Sequence, residues 1–148
     1  MGDVDAYSGF ECHLSRLFNV SLLHLEYRLV PEHPLPAAVD DTLVLYQALL
    51  RDGISSSRLL IMGDSAGGGL TLLTVQALLA RHLPIPHAVI CVSPWADFSS
   101  SGESYIRNRL TDVMLHLEGI SWGIERVLAR LYFSTISKHR FCIKYQHV

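Results

Sequence analysis

The spacing of apolar residues changes repeatedly along this chain, and each change predicts an element. Over residues 9–18, Phe10, Leu14, Leu17 and Phe18 fall at helical intervals and predict a short helix. Residues 20–27, VSLLHLEY, are almost continuously apolar, the pattern of an extended strand buried on both faces. RLVPEHPLP follows, where three prolines forbid a helix and predict an extended loop. Helical period returns at Ala37. Val39, Leu43, Tyr46 and Leu50 form one face, Ala38, Leu45 and Leu49 the next stripe, and Gly53 is the stop signal. Asp40 and Asp41 stand in the first turn, where the helix dipole favours negative charge.

Residues 58–63, RLLIMG, predict a second strand, 66–82 a helix with a small-residue start, and 87–93, HAVICVS, a third strand after the LPIP break. Strands alternating with helices through short links predict right-handed crossovers, hence a parallel three-layer α/β sheet. Beyond residue 93 the pattern weakens. SPWADFSSSGES predicts a loop and 112–131 one or two helices. Residues 132–148 have neither period nor turn logic, which divides the chain into a domain over 1–131 and a divergent tail. There is no internal repeat.

Composition narrows the function classes. The 148 residues are 49% hydrophobic and 18% charged, which excludes a disordered chain, and mean hydropathy is +0.27. Twelve Lys and Arg against 14 Asp and Glu leave a net charge of −2 with no basic stripe, so nucleic acid is not an expected partner. No apolar run reaches the ~18 residues of a membrane span, and the N-terminal MGDVDAYSGF lacks the basic flank of a signal peptide. Cys12, Cys91 and Cys142 match no zinc or disulfide pattern and read as buried free thiols, with the cytoplasm as the expected compartment. The eight histidines form no metal-binding spacing. Neither a metal nor another cofactor is expected.

One segment carries chemistry. Gly63-Asp64-Ser65-Ala66-Gly67 is G-x-S-x-G between a predicted strand and a predicted helix. A turn that sharp forces the serine into a strained backbone conformation, with Gly63 and Gly67 letting neighbouring backbone pass. It lifts the Ser65 hydroxyl above the carboxyl edge of the sheet, where parallel sheets bind ligands. Ala66 then sits at a helix N-terminus, its N–H available to a developing oxyanion. The bland reading is a Gly-rich helix start packed closely on the sheet. A phosphate cradle is disfavoured because no Lys-Ser/Thr follows Gly68 or Gly69.

Three segments, EYRLVPEHPLPAAVDD (26–41), MGDSAGGGL (62–70) and VSPWADF (92–98), make the chain resemble the hormone-sensitive-lipase-like family of α/β-hydrolases over roughly residues 2–130. The resemblance implies the central part of an α/β-hydrolase fold, truncated at both ends, and a carboxylic-ester hydrolase acting on small-molecule esters. It implies a serine nucleophile at Ser65 and half an oxyanion hole at Ala66. MGDVDAYSG resembles the stretch just after the family's HGGG-type loop, so Met1 reads as an internal methionine of a longer frame. The triad acid and histidine follow the serine in this fold, in segments not recognisable here.

Local substitutes are weak. Asp97 follows the third predicted strand at the correct sheet edge and is a candidate acid; ordering the SPWADF loop is its more ordinary role. His116, His139 and His147 read as surface or tail residues, and His24 as a satisfied core histidine. Glu32 and His33 brace the PEHP loop, and Arg28 pairs with Asp40 or Asp41. Trp95 and Phe98 are candidate acyl-pocket aromatics, though core packing is commoner. Without a base, the loss is ~10⁴–10⁶ in kcat, so the chain is expected to be nearly inert towards esters. Exposed sheet edges and apolar faces predict poor stability. Two other readings stand: a non-catalytic small-molecule binder on the same scaffold, and a remnant without folded function. The oligomeric state stays open.

Overall fold

The computed structural model describes residues 3–129. The first helix, α1, spans Val4–Phe18 and starts earlier than the apolar spacing predicts. Its start is set by a cap: the Asp3 carboxylate accepts a hydrogen bond from the Ala6 N–H at 3.0 Å. The helix ends at Asn19 in the left-handed region. Then α2 spans Ala37–Arg51, as the pattern predicts, and a single 3-10 turn follows at Ser56–Arg58.

Strand β1 (Leu60–Asp64) runs directly into α3 (Ser65–Ala80), and β2 (Ala88–Val92) pairs with β1 in parallel, Leu60 opposite Ala88 and Asp64 opposite Val92. A short helix, α4, at Ser104–Arg107 lies at the end of the expected loop, and α5 spans Leu117–Val127. The tail expected at 132–148 falls outside the described residues.

The core sits between α2 and α3. Val39, Leu43 and Tyr46 meet Leu78, and Ile61, Leu70 and Leu73 pack against them. Burial alternates along β1: Ile61 and Gly63 are half-buried, while Leu60, Met62 and Asp64 are exposed. Because strand neighbours point to opposite faces, Ile61 and Gly63 look towards α3 and Asp64 looks away from it. Asp64 there meets Tyr7 of α1, so α1 and α3 lie on opposite faces of the pair. That is the expected three-layer order.

The strand expected at 20–27 is a correction. Those residues form no ladder, and the described sheet has two strands rather than three. Their burial is overturned as well: Val20, Leu22 and Leu23 are exposed, Leu23 by 61%. An apolar run forms a strand only beside another strand, and the described residues place none next to it. The cysteines also differ from expectation. Cys12 is exposed on α1 and Cys91 half-buried on β2, both free, and Cys142 lies outside the described residues. No helix among the described residues is long and apolar enough to cross a membrane.

Candidate active site

No residue separates β1 from α3, so the chain reverses within a single turn at Ser65. Ser65 has φ +49°, a left-handed conformation that costs a non-glycine residue roughly 1–2 kcal/mol. Such strain persists only where surrounding structure over-determines it. Several contacts do so here. A Cβ on Gly63 would fall on the backbone carbonyl of Gly67, so only glycine fits at 63. The Trp95 N–H donates to the Ser65 carbonyl at 2.8 Å, tying the turn to the segment after β2. Cβ atoms on Gly68 and Gly69 would press on Pro94 and on the Trp95 carbonyl. The turn therefore rests on two backbone segments at van der Waals distance.

Gly67 has a different reason from the one the motif suggests. A Cβ there would meet nothing within 4 Å. It is the backbone of Gly67 that needs the space, and Gly63 supplies it. The close approaches at Gly68 and Gly69 lie beyond the five-residue motif, and the run of three glycines was their available signal.

Ser65 is exposed at the carboxyl edge of the sheet. Ala66, the second residue of α3, is exposed too, and N–H groups of a first turn have no intrahelical acceptor. A carbonyl oxygen reaching this turn meets a helix N-terminus with its partial positive charge.

Asp64 faces away from α3 and accepts from the Tyr7 hydroxyl at 3.0 and 3.1 Å, one oxygen each. The Tyr7 phenol is pushed above its ordinary pKa, first by this hydrogen bond and then by the negative charge of Asp64. Tyr27 is also raised, mainly by burial and secondarily by Asp64. The motif pattern points to neither tyrosine, because both are distant from it in sequence.

Asp97 is in a loop that leaves β2 at the same sheet edge as Ser65. Its carboxylate accepts from Ser99 N–H at 2.7 Å and Ser99 Oγ at 2.5 Å, and from Ser101 N–H at 3.2 Å and Ser101 Oγ at 3.1 Å. Its pKa is lowered, first by the Ser99 hydroxyl, so it is a buttressed anion. Both oxygens face the loop's own serines. Trp95 packs edge-on to Phe98 with ring centroids 5.0 Å apart, and its ring lies against Gly123 of α5.

Among the described histidines, the side-chain hydrogen bond belongs to His24, whose Nδ1 lies 2.6 Å from Glu11 Oε1 in a half-buried pair. His116 is exposed at the start of α5, and His139 and His147 lie outside the described residues. No described histidine is bonded to Ser65 or Asp97. Arg28 forks onto both oxygens of Asp41 at 2.7–3.0 Å and reaches the Ala37 carbonyl, fixing the proline loop to α2. Glu32 and His33 are exposed beside it. A cavity of ≈ 340 Å³ lined by Tyr105, Ile106, Arg109, Leu110, Leu117 and Glu118 shares no residue with the serine turn. No cluster of three metal-binding side chains occurs among the described residues.

Comparison with known proteins agrees with this geometry. A family model described as alpha/beta hydrolase fold matches residues 1–142. The chain is 35% identical to an acetyl-hydrolase of Streptomyces hygroscopicus over 129 residues, 87% of this chain and 43% of that protein. It is 32% identical to an esterase of Acinetobacter venetianus over 128 residues, 86% of this chain and 42% of that protein. The solved structure of an esterase from the bacterial hormone-sensitive lipase family superposes with TM-score 0.83 at 36% identity, covering 87% of this chain and 43% of that one. The chain thus spans less than half the length of these relatives. With the parallel pair, the strand-to-helix serine turn and a family match over residues 1–142, the chain belongs to the α/β-hydrolase-fold family, among its hormone-sensitive-lipase-like members.

Proposed function

We propose that this chain carries the nucleophile of a carboxylic-ester hydrolase, with Ser65 attacking the ester carbonyl. The observation that carries this reading is an exposed serine held at φ +49° between a parallel strand and a helix N-terminus. The esterase and acetyl-hydrolase names of the relatives support ester substrates.

In the reaction, Ser65 Oγ bonds to the carbonyl carbon, and the carbonyl oxygen takes up negative charge beside the Ala66 N–H. Collapse expels the alcohol, which receives the proton from Ser65, and leaves an acyl-serine. Water then adds to the acyl carbon, and the acid departs as the serine is restored. Gly63 allows the turn by leaving room for the Gly67 backbone, and Asp64 anchors it from the opposite face. Asp97 serves as the brace of the 97–101 loop, since its lone pairs are already turned to Ser99 and Ser101.

A base for Ser65 is not among the described residues. Turnover by this chain alone is therefore expected to be slow, by the ~10⁴–10⁶ that loss of triad partners costs. That same observation favours a second reading, a small-molecule binder on this scaffold. Free thiols at Cys12 and Cys91 support a reducing, cytoplasmic location.

Incubation with a fluorophosphonate ester followed by intact-mass spectrometry tests the nucleophile. One adduct on the wild type, formed slowly on prolonged incubation with excess probe and absent from Ser65→Ala, is expected. No adduct, or an adduct that persists in Ser65→Ala, overturns it. A melting temperature raised by ester analogues without any adduct selects the binder.

A further inference from the structure

We infer that Tyr7 is a positioning residue for the Ser65 turn, acting through Asp64 from the opposite face of the sheet; this rests on reading Ser65 as the nucleophile. The strained turn is held on the α3 face by backbone alone: Gly67 against Gly63, and Trp95 N–H on the Ser65 carbonyl. On the other face the contact is made by a side chain. The Tyr7 hydroxyl lies within 3.1 Å of both Asp64 oxygens, across 57 residues of sequence.

Asp64 immediately precedes Ser65, so its backbone torsion sets where the serine stands. As the residue before a helix, an aspartate ordinarily turns its carboxylate onto the helix's own first N–H groups. Asp64 makes no such bond. Its carboxylate is committed to Tyr7 instead, which leaves the first turn of α3 unoccupied by its own side chain.

α1 has no buried residue, so it is not held by a packed core of its own. Polar ties locate it: Tyr7 on Asp64, Glu11 on His24, and the Val4 N–H on Glu26 at 3.4 Å. The Tyr7 bond is the one that reaches the serine turn. Through it the placement of a helix near the start of the chain becomes the placement of Ser65.

The test uses the full chain with Tyr7→Phe, Asp64→Ala and the double variant. Amide hydrogen exchange over residues 64–67 is expected to quicken about 3–10-fold in Tyr7→Phe, while exchange in α2 stays as in the wild type. The maximal rate of fluorophosphonate labelling is expected to fall by a similar factor, with the half-saturating probe concentration unchanged. The double variant should be no worse than Asp64→Ala, because the two residues act through one bond. Unchanged exchange and labelling in Tyr7→Phe overturn the inference. So does quickened exchange throughout α2 with a lowered melting temperature, which marks a purely structural tyrosine. A wild type that takes no Ser65-dependent label overturns the serine reading instead, and local exchange then decides the role of Tyr7 by itself.

Discussion

Gly63 and Gly67 occupy symmetrical places in the motif around Ser65, yet their surroundings ask different things of them. A methyl group on Gly63 would overlap the carbonyl of Gly67, so Gly63→Ala must push α3 away from β1. We expect a loss of about 3 kcal/mol in urea denaturation, the upper range for overpacking. Gly67→Ala adds its methyl to open space at a helical position, where alanine is favoured over glycine by roughly 1 kcal/mol. It should be neutral or stabilising in the same measurement. A Gly63→Ala variant as stable as the wild type would contradict the close approach. At this scale the sequence located the strained strand-to-helix turn at Ser65, because G-x-S-x-G between strand and helix is a local pattern. It did not show which glycine is crowded, since crowding depends on which atoms arrive from elsewhere. Tyr7 and Trp95 were missed as supports for the same reason.

Both α2 and α3 end in the same hydrogen-bonded reversal. After α2, Gly53 has φ +86°, its N–H bonds the Leu50 carbonyl, and the Ile54 N–H bonds the Leu49 carbonyl. After α3 the residue in the equivalent place is His82, with φ +51°, and the matching bonds run from His82 to Leu79 and from Leu83 to Leu78. Histidine pays a steric cost there that glycine avoids, while glycine adds some freedom to the unfolded chain. His82→Gly is therefore expected to stabilise the protein by about 0.5–1 kcal/mol, and a lowered thermal midpoint would show the expectation to be mistaken. Glycine at 53 made the first stop legible. Nothing marked the second beyond LPIP downstream. The segment 20–27 shows the opposite failure: its apolar run has strand composition, but strand identity is conferred by a neighbour.

Over the whole molecule, stability rests on a small core between α2 and α3 and on a few fixed carboxylates. Asp41 is held below the usual aspartate pKa, first by the hydrogen bonds from Arg28, and Asp97 first by the Ser99 hydroxyl. A depressed carboxylate means the folded state binds fewer protons than the unfolded state near its ordinary pKa. The stabilisation is thus fully present above about pH 4 and is lost as pH falls through the lower folded values. Thermal melts between pH 6 and pH 3 should show a falling midpoint on the acid side. Arg28→Ala should flatten the part due to Asp41, and an unaltered acid limb in that variant would remove Asp41 from the account. Elsewhere Leu60, Met62, Ile90 and Val92 are exposed on the sheet face turned away from α3, and Val89 on the other face.

Local order along the chain was enough to determine the α2, β1, α3, β2 sequence and the serine between β1 and α3. Those elements follow from periodicity, from helix stops and from the motif, all of which act over a few residues. Tertiary structure decided the rest: that 20–27 stays unpaired among the described residues, that Asp97 is consumed by Ser99 and Ser101, and that Tyr7 bonds Asp64, the residue before Ser65. Each of these depends on a partner distant in sequence or on a face left uncovered. Hydrogen bonds and burial are properties of pairs of surfaces, and a one-dimensional pattern records only one surface of each pair.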